Sequence, residues 1–124
     1  MAENIKFKNI SFKYPNVDKL ILNNFNFEIN KNTIIGFMGE SGSGKSTLMD
    51  IISGLIDQTT GSIYLDNKFV NLNTEGWQQN VGIVTQKIYL FEASIKDNIT
   101  LFESENDIDY KKLFESLKKV NLSK

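Results

Sequence analysis

The sequence predicts an α/β fold on three observations: an apolar run without alternation, a glycine-rich loop directly behind it, and an amphipathic helix behind the loop. The run is Thr33–Met38, TIIGFM. Its length and β-branched start suit a strand buried on both faces, as in a parallel sheet. In the helix, Leu48, Ile51, Ile52 and Leu55 fall at i, i+3, i+4 and i+7, one apolar stripe. Gly54 near its end fits a helix stop.

The other elements follow in chain order. Ile5–Tyr14 reads as a strand. Ile5 and Phe7 share one parity and Ile10, Phe12 and Tyr14 the other, so a bulge or bend is expected around Asn9. Pro15-Asn16 supplies a turn. Phe25, Phe27 and Ile29 alternate with polar residues and predict a half-exposed strand, which Asn30-Lys31-Asn32 connects as a hairpin into Thr33–Met38. Ser62–Asp66 and Lys68–Val70 predict a short hairpin around Asp66-Asn67, and Val81–Thr85 a short apolar strand that ends at Gln86. Ser94 followed by Asp97 matches a capping-box start for a short helix, with Asp in place of Glu or Gln. Tyr110, Leu113, Phe114, Leu117 and Val120 form a last helical stripe, expected to face the core. Asp107 and Asp109 precede it and Lys118-Lys119 lie near its end, as the helix dipole favours.

Composition bounds the function. A chain of 124 residues is one domain or part of one. At 40% hydrophobic and 11% aromatic it is too apolar for disorder. Its 14 basic and 15 acidic side chains, net charge −1, argue against a broad basic face, so no nucleic acid partner is expected. Without cysteine there are no disulfides or thiolate metal sites, and without histidine no imidazole acid–base chemistry. Every basic residue is lysine, which excludes planar bidentate clamping and an arginine finger in cis. No run approaches the ~18 apolar residues of a transmembrane helix. MAENIKFKNI carries no signal-peptide h-region, so a cytosolic-type piece is expected.

The chemistry resides in Gly39-Glu40-Ser41-Gly42-Ser43-Gly44-Lys45-Ser46-Thr47, which satisfies G-x-x-x-x-G-K-[ST], the P-loop pattern, between a predicted strand and helix. A triphosphate needs many donors at close range. Backbone N–H groups supply them where side chains stay out of the way, and the glycines at 39, 42 and 44 permit the turn and the approach. The N-terminus of the following helix adds unpaired N–H groups and the positive end of its dipole. In this reading Lys45 places an ammonium on the β- and γ-phosphates of the triphosphate, the Ser46 hydroxyl ligates Mg²⁺, and Thr47 donates to the α-phosphate.

GESGSGKST, the aromatic at the end of the first strand and the strand ending in Val84-Thr85-Gln86 together resemble the nucleotide-binding domain of ABC transporters. The resemblance implies an α/β P-loop NTPase core of the ABC ATPase type with an antiparallel β-subdomain. It implies that Tyr14 stacks on adenine. It also implies that Gln86 is the glutamine that contacts Mg²⁺ and the attacking water and moves with a transmembrane partner. Ile88–Ile99 resembles the exporter-type subgroup, in which this segment meets the membrane domain, and Trp77-Gln78-Gln79-Asn80 is similar to flippases for lipid-linked sugars.

The similarity runs from Ile5 to about Val120 and covers the first half of that family's domain. An LSGGQ-like signature, an apolar strand ending in Asp-Glu and a switch histidine do not occur in these residues. The expected function is therefore the ATP-binding part, residues 1–124, of a transporter that couples ATP binding and hydrolysis to export or flipping of a substrate. Its implied partners are a second nucleotide-binding domain, paired head to tail, and a transmembrane domain reached through residues 87–99. The implied location is the cytoplasmic face of the membrane. By itself the chain is expected to bind ATP without turnover, and its unpaired strand edges favour self-association. The alternatives are a soluble ABC-type ATPase of DNA repair or chromosome maintenance and a module that binds ATP without hydrolysing it.

Overall fold

The computed structural model describes residues 3–122, in two compact units that divide between Ile83 and Val84. The first unit is built on a four-stranded antiparallel sheet. Its strands are β1 (Asn4–Phe12), β2 (Leu22–Asn30), β3 (Thr60–Leu65) and β4 (Lys68–Val70), in the spatial order β2-β1-β3-β4. Helix α1 (Lys45–Ile52) contributes Leu48 and Ile51 to a core with Phe7, Ile10, Phe12, Leu22 and Ile63. Each such side chain contributes roughly 1.5–3 kcal/mol by leaving water.

The parity switch in β1 is a bulge. Pairing with β2 runs from Asn4↔Asn30 to Phe7↔Phe27 and resumes at Ile10↔Phe25. Between them Asn9 takes a left-handed conformation (φ 53°) and donates its N–H to Asn26 Oδ1 at 2.9 Å. Phe7 and Ile10, three residues apart, thereby enter the same core. Phe7 also stacks on its cross-strand partner Phe27, with ring centroids 4.1 Å apart. The strand ends at Phe12, so Tyr14 lies just beyond it, ahead of a turn in which the Val17 N–H donates to the Tyr14 carbonyl.

The β3–β4 hairpin turns on Asp66 and Asn67, both left-handed (φ 47° and 67°), as a two-residue primed turn requires. Asp66 Oδ1 accepts the N–H groups of Glu3 (2.8 Å) and Asn4 (3.0 Å), tying the turn to the start of β1. Those bonds, the one from Asn4 first, hold its carboxyl below the usual aspartate range. The resulting stabilisation is present above the unfolded-state pKa and is lost as pH falls through the lowered folded one. Asp66→Asn is expected to flatten the acid limb of a stability-versus-pH curve. A limb of unchanged slope in urea titrations at several pH values would remove Asp66 from that account.

Two predicted strands are not formed. Thr33–Met38 follows the expected turn (Thr33 N–H to the Asn30 carbonyl, 3.3 Å) but is irregular and unpaired, with Ile34 and Met38 fully exposed at 102% and 98%. Val81–Thr85 is also irregular, and Val84 is 92% exposed. A strand needs a partner ladder, and among the described residues none is offered to either segment.

Helix α1 ends earlier than its stripe. Ser53 is the C-cap and Gly54 is left-handed (φ 74°). The Gly54 N–H donates to the Ile51 carbonyl and the Leu55 N–H to the Asp50 carbonyl, a Schellman closure. Leu55 therefore lies past the helix and is exposed, contrary to its predicted place in the stripe. Helix α2 (Glu75–Gln78) covers this end: Trp77 Nε1 donates to the Ile52 carbonyl at 2.9 Å and Gln78 Nε2 to the Gly54 carbonyl at 2.7 Å.

The second unit holds α3 (Ile95–Thr100) and α4 (Tyr110–Lys119). Ser94 caps α3 by accepting the Asp97 N–H, and Asp97 Oδ2 accepts the serine hydroxyl at 2.6 Å, so the expected box closes side chain to side chain. Asn98 organises the preceding turn: its Oδ1 accepts the Phe91 N–H and its Nδ2 donates to the carbonyls of Phe91 and Ser94. Asp109 caps α4, and Lys118 and Lys119 occupy its last turn as predicted. The stripe of α4 does not face a core as expected. Leu113 is buried and Leu117 half-buried, whereas Tyr110 and Phe114 are exposed and Val120 is the exposed C-cap. Glu105 accepts hydrogen bonds from Lys96 Nζ and the Tyr110 hydroxyl, linking α3 to α4. Those bonds hold the Glu105 carboxyl low and raise Lys96 and Tyr110. The link weakens on acidification as Glu105 gains a proton, and at alkaline pH as Lys96 and Tyr110 lose theirs.

Candidate functional site

The glycine loop joins the exposed Thr33–Met38 segment to α1, and it is fixed against the sheet at its last residue. Gly44 is left-handed (φ 92°), and a Cβ there would meet Leu22 Cδ2 at 3.0 Å and the Ile21 carbonyl at 3.1 Å. Only glycine lets the helix start so close to the beginning of β2. At the other end a Cβ on Gly39 would meet Ser43 Oγ at 2.7 Å, and the Ser43 N–H donates to the Glu40 carbonyl. Ser41 and Gly42 form the exposed crest.

Lys45 folds back over this loop. Its ammonium donates to the carbonyls of Gly39 (2.8 Å) and Glu40 (2.7 Å), with Ser43 Oγ at 3.4 Å. The charge therefore stands at the mouth of the loop, beside the first turn of α1. No side chain caps that turn, whereas Thr74, Ser94 and Asp109 cap α2, α3 and α4. Uncapped N–H groups, the positive end of a helix dipole and one ammonium make a site for a polyanion.

Tyr14 belongs to the same site. Its hydroxyl lies 3.1 Å from Thr47 Oγ1, and its ring meets Phe12 edge-on with centroids 4.9 Å apart. Thr47 is buried in the first turn of α1, while Ser46 beside it is exposed. Among the described residues no group of three or more His, Cys, Asp or Glu side chains could hold a metal, and Ser46, beside Lys45 in sequence, offers an exposed hydroxyl, a hard oxygen of the kind Mg²⁺ takes.

Tyr14, Gly39, Glu40, Ser41, Gly42, Ser43, Gly44, Lys45, Ser46 and Thr47 are thus brought together in the first unit. Gln86 lies in the second, exposed at a bend where the Thr85 hydroxyl donates to the Lys87 carbonyl at 2.6 Å. Sequence reasoning missed the Tyr14–Thr47 contact. No spacing rule links residues 33 apart, and the only available signal was the pairing of a hydroxyl-bearing aromatic with a hydroxyl on a buried helix face. It also missed the donors that Trp77 and Gln78 bring to the far end of α1.

A family model described as "ABC transporter" matches residues 22–124. The chain is 42% identical over 98 residues to the alpha-hemolysin translocation ATP-binding protein HlyB of Escherichia coli O157:H7, covering 78% of this chain and 14% of that protein. It is 37% identical over 120 residues to the multidrug resistance-like ATP-binding protein MdlB of Buchnera aphidicola, covering 96% of this chain and 20% of that one. Among solved structures it is similar to a bacterial Atm1-family ABC exporter with ATP bound (TM-score 0.78, 25% identity), covering 98% of this chain and 21% of that chain. The chain spans about a fifth or less of the length of the curated relatives it matches.

Proposed function

Because the chain belongs to the ABC transporter family, we propose that it is the ATP-binding front half of an exporter-type nucleotide-binding domain, whose complete protein couples ATP hydrolysis to export or flipping of a substrate across a membrane. The observation that carries this reading is the loop itself: an uncapped helix start behind glycines, with Lys45 held across its mouth and Tyr14 bonded to the same helix turn.

The residues divide the work. Tyr14 offers a ring face to adenine, the loop N–H groups and Thr47 hold the phosphates, and Lys45 exchanges the Gly39 and Glu40 carbonyls for β- and γ-phosphate oxygens. Mg²⁺, when bound, neutralises charge developing between those phosphates. Ser46 and Gln86 are the residues this chain offers to it, and Gln86 also orients the attacking water. An LSGGQ-like signature and an apolar strand ending in Asp-Glu, which carry the partner contact and the general base in this family, do not occur in these 124 residues. The second nucleotide-binding domain, paired head to tail, supplies the signature opposite this loop. Residues 87–99 form the contact with the transmembrane domain, and the exposure of Ile88, Tyr89 and Leu90 supports that assignment. The working location is the cytoplasmic face of that membrane.

The test is titration of the 124-residue chain with MgATP, followed by a phosphate-release assay. Binding without steady turnover is expected. Failure to bind would remove the nucleotide assignment. Steady release that disappears in Lys45→Ala would show that the chain is no half-site.

A further inference from the structure

Thr47 is a buried side chain, 5% exposed, and among the described residues its hydroxyl has one polar side-chain neighbour, the hydroxyl of Tyr14 at 3.1 Å. A buried hydroxyl needs a partner, and Tyr14 reaches it from outside the helix, 42% exposed, with its ring steadied by the edge of Phe12. The chain entering Tyr14 is fixed as well. The Lys13 N–H donates to Thr59 Oγ1 at 3.1 Å, and the Ile21 N–H donates to the Phe12 carbonyl at 2.8 Å. The contact is therefore built from both sides.

A hydroxyl has one proton to donate and two lone pairs to receive. Either oxygen of this pair can be the donor. Once Thr47 gives its proton to an anionic phosphate oxygen, the stronger charge-assisted bond, it can only accept from Tyr14. The two bonds then point the same way and polarise each other.

Resting on the nucleotide-binding reading above, we propose that Tyr14 acts on the phosphates as well as on the base: its hydroxyl is a positioning group that donates to Thr47 and so strengthens the hold of Thr47 on the polyphosphate. A ring that only stacks is indifferent to ligands without a base. A relay through Thr47 is not, so inorganic tripolyphosphate separates the two.

The experiment measures ATP and tripolyphosphate affinity, by displacement of a fluorescent ATP analogue, for the wild-type chain, Tyr14→Phe, Thr47→Val, the double variant and Thr47→Ser. Tyr14→Phe keeps the ring and is expected to weaken both ligands by roughly 3- to 10-fold, the worth of one hydrogen bond. In the Thr47→Val background the same change is expected to do nothing further, and Thr47→Ser is expected to restore both affinity and sensitivity to Tyr14→Phe. Unchanged tripolyphosphate binding in Tyr14→Phe, or losses that simply add in the double variant, would overturn the relay while leaving the nucleotide reading intact. A wild-type chain that binds neither ligand would overturn both.

Discussion

Lys45→Ala is expected to lower ATP affinity by roughly 10- to 150-fold, the worth of hydrogen bonds to a charged group, about 1.5–3 kcal/mol. Lys45 is the only cation among residues 39–47, and Glu40 is an anion on the same loop. Removing the ammonium leaves the loop with a net repulsive charge toward phosphate and with two carbonyls, of Gly39 and Glu40, that lose their donor. Fold stability should change little, because those carbonyls lie in an exposed loop where water replaces the ammonium. Titration with a fluorescent ATP analogue beside a thermal melt separates the two effects. An affinity within twofold of wild type would show that the lysine does not reach the phosphates.

Gly54→Ala is expected to be the most damaging conservative change in the first unit. The residue is left-handed, which costs a side-chain-bearing residue roughly 1–2 kcal/mol. Its new Cβ would also stand 2.2 Å from the Leu72 carbonyl oxygen. Leu72 belongs to the core, so relief requires a backbone shift that loosens packing, at a further cost of about 1–3 kcal/mol. A total of roughly 2–5 kcal/mol is a large part of the stability of any small domain. Gly76→Ala is the control: it lies within α2, where a Cβ meets nothing within 4 Å, and it is expected to be neutral or to stabilise by up to about 1 kcal/mol. Urea midpoints of the two variants give the comparison, and equal midpoints would refute the packing argument.

The contrast between what was legible in the sequence and what was not follows the range of the interactions. Asp66-Asn67, the parity break at Asn9 and the Ser94 cap are decided within a few residues, and each took the predicted conformation. The order of loop and helix at residues 39–52 is local as well, because glycine spacing and helical periodicity need no distant partner. Thr33–Met38 and Val81–Thr85 are a different case. Their unalternating apolar character states what environment they suit, but forming a ladder depends on other segments, and none among the described residues provides it. The stripe of α4 fails for the same reason: periodicity marks a face, and only Leu113 finds a burial place for it. Within the site, the loop residues were legible from spacing, whereas the bond from Tyr14 to Thr47 depends on tertiary placement.

The two ends of α1 differ as electrical terminals. At its C-terminal end every one of the last four carbonyls is occupied: Met49 by Ser53, Asp50 by Leu55, Ile51 by Gly54 and Ile52 by the indole of Trp77. The negative pole is thereby quenched by donors drawn from the following turn and from α2. At the N-terminal end nothing comparable cancels the positive pole, because its cap is a glycine without a side chain. A dipole damped at one end acts at short range like a single partial positive charge, close to half an elementary unit, placed beside the Lys45 ammonium. The rectification of that field is set in part by Trp77, which holds the last carbonyl at the end of the helix opposite the loop.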